Sequence, residues 1–100
     1  IADFTSAYEA TVENIAMTVL VHEWFSHGIR HYDNETKTHR FAYQNVINYK
    51  ELWGKVTDRY KGFIMKDLQY YTEIETGCKN VSILYRNLYN KYIKYYNDEK

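Results

Sequence analysis

The chain has 100 residues, 45% of them apolar and 26% charged, which suits one globular domain and excludes a disordered tail. Thirteen basic and thirteen acidic side chains cancel, so nothing general draws the chain to nucleic acid or to an anionic membrane. One cysteine, Cys78, excludes an internal disulfide and a cysteine-based zinc knuckle, and the longest apolar run, Ile15 to Val21, is too short to span a bilayer. No basic stretch with a cleavage site marks a signal peptide. Opening on Ile1 rather than Met, the chain reads as a fragment cut or processed from something longer.

With no proline and four glycines, helices can run far. Residues 5 to 27 read as one long helix, capped by Thr5 or Ser6, with Glu9 completing a capping box. Tyr8, Val12, Ile15, Ala16, Val19 and Leu20 recur at three-and-four spacing, which predicts a buried stripe. One further step lands on His22 and Glu23, and a carboxylate on the buried side needs a stabilising partner. Gly28 weakens the helix, and residues 32 to 36 make a turn, with Asp33 or Asn34 as the next cap. A second helix is expected from Glu35 to Ile47 and a third from near Tyr49, including Leu52, Trp53 and Val56. Phe63, Ile64, Leu68, Tyr71 and Ile74 form the next stripe, stopped by Thr76-Gly77. The last helix starts near Ser82 and carries Leu84, Tyr85, Leu88, Tyr89, Tyr92, Ile93 and Tyr96 on one broad face. No segment alternates with period two. The fold expected is an all-α bundle of four to five helices, with a long N-terminal helix bearing the active site.

All four histidines, His22, His27, His31 and His39, fall within residues 22 to 39 beside Glu23. On an α-helix residues four apart can share an ion, but residues five apart diverge by about 140°. A single π-bulge at Ser26 or Phe25 would close that gap, so that His22 and His27 face one ion. The alternative is the i, i+4 pair His27 and His31, which needs the helix to survive Gly28. A catalytic zinc takes three protein ligands and keeps a fourth position for water. Glu23, beside the first ligand, is placed to act as general base on that water. A third ligand must come from a second helix. His39 is the best-placed candidate and Glu35 the fallback, although Glu35 also suits a plain first-turn charge.

The run His22-Glu23-Trp24-Phe25-Ser26-His27-Gly28 resembles the H-E-x-x-x-H variant of the zincin metallopeptidases, the spacing of the dipeptidyl-peptidase-III family. Together with residues 39–48 and 84–92, it also resembles C-terminal domains of bacterial polymorphic toxins of the RHS type, over about Val12 to Tyr92. The resemblance implies His22 and His27 as zinc ligands and Glu23 as the catalytic carboxylate. It also implies a protein or peptide substrate, an immunity protein as partner, and delivery as the last part of a larger secreted protein. In such toxins an acidic residue followed by Arg supplies the third ligand; here the matching position is His39, followed by Arg40. Zincins hold substrate on a β-sheet edge before the active-site helix. The chain starts too late to contain one, so it is expected to be the helical part of a larger zincin-type domain.

Two other classes fit the same residues. A histidine-metal nuclease would use Arg30, Arg40 or Lys37 on phosphate, against which the neutral charge argues. A helical interaction module would use its histidines only to stabilise the fold. Trp24 and Trp53 read as core anchors, Tyr32 and Tyr43 as minor candidates for an oxyanion donor, and Cys78 as a spectator. The tripeptides Asn34-Glu35-Thr36 and Asn80-Val81-Ser82 match the glycosylation pattern by chance.

Overall fold

Thr11 opens the first helix by accepting a hydrogen bond from the Asn14 amide at 3.1 Å, which satisfies one of the donors a helix start leaves over. The computed structural model describes residues 11–32, 34–79, 81 and 83–97. The expected caps at Thr5, Ser6 and Glu9, the stripe residue Tyr8, and Asp33, Asn80 and Ser82 lie outside the described residues. Helix α1, Val12–Ala16, runs without a break into a π-helix, Met17–Ile29. Then come α2, His39–Asn48, the single turn α3, Lys50–Trp53, the long α4, Asp58–Thr76, and α5, Ile83–Asn97. No strand occurs among the described residues, and the architecture is an all-α bundle, as the missing period-two pattern implied. No helix among them is long and apolar enough to cross a membrane.

The core lies where α2 packs against the first rod and against α4, and α4 against α5, around Met17, Val46, Ile47, Tyr60, Met65 and Leu68. The rod itself does not bury the expected stripe. Val12 is 78% and Leu20 54% exposed, whereas Asn14, Met17, Thr18, Val21 and Ser26 are the buried residues. The α-helical period used to draw the stripe fails beyond Ala16, because a π-helix turns less per residue. The buried face is instead chosen by polar ties. Asn14 Nδ2 donates to Thr57 Oγ1 and Asn14 Oδ1 accepts from the Thr57 amide, both at 3.1 Å. Thr18 Oγ1 and the Tyr60 hydroxyl share a hydrogen bond of 2.8 Å, and burial pushes the Tyr60 phenol above its ordinary pKa. Each tie satisfies buried polar groups that would otherwise cost stability.

Helix α2 begins at His39, four residues later than expected from Glu35. Lys37 has φ of 59°, a left-handed conformation that no helix continues, so the chain turns through residues 34–37 first. The third helix breaks after Trp53. Val56 stays buried in the turn, and Thr57 caps α4 by accepting from the Tyr60 amide at 3.2 Å. Helix α4 stops where expected, at Gly77, whose φ of 80° is the left-handed cap only glycine adopts at no cost.

Helices α4 and α5 approach at Gly62. A Cβ there would stand 2.8 Å from the backbone O of Tyr92 and 2.8 Å from the backbone N of Tyr96. On α5 the tyrosine face is core as expected at Tyr85 and Tyr92, but Leu84 is 79% exposed. Tyr85 places its hydroxyl where Asn48 Nδ2 donates to it at 3.1 Å, the partner a buried Tyr needs. Ile74, also expected in a buried stripe, is exposed near the end of α4.

Candidate metal centre

Two elements build the site. In a π-helix hydrogen bonds run from residue i to i+5, so side chains five apart come back to nearly the same face. His22 and His27 are such a pair, and their Nε2 atoms stand 3.3 Å apart. The widening is continuous from Met17 to Ile29, not a single bulge. Ser26 supports it from inside. Its hydroxyl, wholly buried, donates to Val21 O at 2.8 Å and accepts from Asn45 Nδ2 of α2 at 3.1 Å. The same α2 presents His39 in its first turn, and the donor nitrogens of His22, His27 and His39 all lie within 4.8 Å of one another. Such a group can hold a metal ion.

The tautomers favour this. His27 Nδ1 lies against the carbonyl oxygen of Tyr32, and His39 Nδ1 lies 2.8 Å from Asn34 Oδ1. Both acceptors favour Nδ1–H, the tautomer that in a neutral ring carries its lone pair on Nε2. Histidines that ligate metals are oriented in this way by a carbonyl or carboxylate behind them. His22 is more enclosed than His27, its side chain 14% exposed against 30%. Burial, with the neighbouring His27 and His39 adding to it, lowers its pKa from 6.5 to about 3, so the ring is neutral at any ordinary pH. Its Nε2 faces that of His27, while its Nδ1 is buried without a hydrogen-bond partner among the described residues. The 3.3 Å between His22 and His27 also matches the edge of a tetrahedron around an ion with bonds of roughly 2.0–2.1 Å.

Glu23 reaches the same centre. Its Oε1 is 3.4 Å from His22 Nε2 and 3.8 Å from His27 Nε2, and its side chain is 48% exposed. The carboxylate therefore stands on the solvent side of the cluster. Behind the rings stand Tyr43, with its ring centroid 4.8 Å from that of His22, and Tyr71, 4.0 Å from that of His39.

His31 does not join the group. It ends the rod with φ of 58° and is exposed, so the His27–His31 pairing is not formed. Glu35 sits exposed in the turn before α2 and is likewise outside the group. Trp24, expected in the core, is 61% exposed, whereas Trp53 is buried as expected. Tyr32 turns its hydroxyl to Arg30, 3.4 Å from Nε, and gives the site only its carbonyl. Of the cations weighed for phosphate, Arg40 is engaged by Glu75 at 3.1 Å and by the Lys37 carbonyl at 2.7 Å. Asn34, Tyr71 and Glu75 were not foreseen at the site. Tyr71 and Glu75 are more than thirty positions from His39 in the chain, and no local pattern marks them.

Compared with family models, with curated proteins and with solved structures, the chain finds no match.

Proposed function

We propose that this chain is a zinc-dependent hydrolase domain that cleaves a peptide bond, with His22, His27 and His39 as ligands and Glu23 as general base. The observation that carries the reading is the convergence of three imidazoles within 4.8 Å beside a carboxylate 3.4 and 3.8 Å from two of them. Three imidazole ligands favour zinc and its transition-metal neighbours over magnesium or calcium, which prefer oxygen. Zinc bound by three protein ligands keeps a fourth position, lowers the pKa of water there to about 7 and polarises a carbonyl. Glu23 would do the proton work: the carboxylate of its half-exposed side chain would take the proton from the attacking water and return it to the leaving amine. Tyr43, buried, and Tyr71, half-buried, cover the rings from behind, which leaves the face beside Glu23 and His27 for the substrate. The likeness of the motif to zincin-type toxin domains supports the peptide as substrate and an immunity protein as partner.

One observation favours a second reading, a non-catalytic structural site. The two distances from Glu23 Oε1 are close to ligand–ligand edges, so Glu23 would then be the fourth ligand of a closed centre. The nuclease reading is weaker, since Arg40 is already committed to Glu75.

The experiment is metal titration of the wild-type chain and of Glu23→Gln. As base, Glu23 is dispensable for binding, so the variant keeps its zinc and loses peptide hydrolysis. A variant that loses zinc instead supports the closed centre, and a wild-type chain that takes up no zinc on titration ends both metal readings.

A further inference from the structure

Glu75 sits in the last turn of α4, where its own helix dipole disfavours a negative charge, and its side chain is only 3% exposed. A buried carboxylate in such a place is costly unless it is fully bonded. Here it is. Oε2 accepts from the His39 amide at 2.9 Å, and Oε1 accepts from the Arg40 amide at 3.1 Å and from Arg40 Nη1 at 3.1 Å. Those two amides are the first of α2, the end at which a helix favours negative charge. The residue before them, Thr38, makes no side-chain cap. Glu75 therefore replaces the local cap from another helix and grips the backbone of the one proposed ligand that the π-helix does not carry.

We infer that Glu75 is a positioning residue for the metal centre: it fixes the start of α2, and through it the His39 ring, against His22 and His27. This rests on the metal reading above. Lost support behind a ligand typically lowers metal affinity by about 10–100-fold.

The test is zinc affinity, measured by competition with a chromophoric chelator, for wild type, Glu75→Ala, Glu75→Gln, His39→Ala and the double variant Glu75→Ala/His39→Ala. Glu75→Ala is expected to bind zinc about 10–100-fold more weakly than wild type, with Glu75→Gln in between, because Gln keeps one acceptor for the amides. In the His39→Ala background, Glu75→Ala should cost nothing further, since Glu75 acts through that ring. A general loosening of the fold would weaken binding equally in both backgrounds, and that additive result overturns the inference. Should Glu75→Ala not fold, Glu75→Gln carries the same cycle with a smaller shift. Wild-type zinc binding that either folded variant retains in full overturns the role of Glu75 alone. A wild-type chain without zinc affinity instead removes the metal reading on which the role depends.

Discussion

Ser26→Ala tests the link between the π-helix and the site. The hydroxyl is wholly buried and holds two hydrogen bonds, to Val21 O at 2.8 Å and from Asn45 Nδ2 at 3.1 Å. Each is worth about 0.5–1.5 kcal/mol net, and a donor left without a partner costs about 1–3 kcal/mol. The Asn45 amide is half-buried and regains part of its bonding from water, so the lower end applies to it. Alanine's better helix propensity returns a few tenths of a kcal/mol. The expected loss is about 2 kcal/mol, or roughly 8–16 °C in Tm for a chain of this size. The same change should weaken zinc binding, because the bond to Asn45 ties the strip carrying His22 and His27 to the helix carrying His39. The assay is thermal unfolding by circular dichroism with and without zinc, paired with zinc titration. A variant with unchanged Tm and unchanged affinity would show that the serine holds neither the wide turn nor the two ligand-bearing elements together.

Gly62→Ala should destabilise the fold, although alanine gains about 1 kcal/mol in helix propensity. Its Cβ would stand 2.8 Å from two backbone atoms of α5, and overpacking costs typically about 1–3 kcal/mol; a raised urea midpoint would contradict this. His39→Ala should retain far less zinc on dialysis than wild type while still binding it weakly through His22 and His27, whereas His31→Ala should leave metal content as in wild type, read by elemental analysis. In the metal-free protein His22 sets a pH dependence. Its folded pKa of about 3 lies below the 6.5 of the unfolded chain, so the unfolded state takes up the proton first. The contribution is whole above about pH 6.5 and fades as pH falls toward 3, by at most about 5 kcal/mol at 1.36 kcal/mol per unit. Urea unfolding from pH 7 to 4 should show that slope, and His22→Gln should flatten it.

Much of this molecule follows from local chemistry that a one-dimensional reading captures. The lack of any period-two segment points to helices, Thr76-Gly77 marks the end of α4, and the five-residue step from His22 to His27 needs a turn wider than an α-helix if both are to face one ion. Histidine crowding likewise points to His39 as the third member of the cluster. Other features depend on atoms distant in the chain. The π-helix is tied to α2 through Ser26 and Asn45, and the buried face of the first rod to the start of α4 through Asn14 and Thr57, pairings that close only when helices dock. The late start of α2 depends on a left-handed Lys37 and on Glu75, brought from 36 positions away to take the place of a local cap. Apolar spacing placed Val12 and Leu20 inside because it counts hydrophobic side chains at a fixed period. Docking exposed them, because satisfying buried polar atoms weighed more than covering those two side chains.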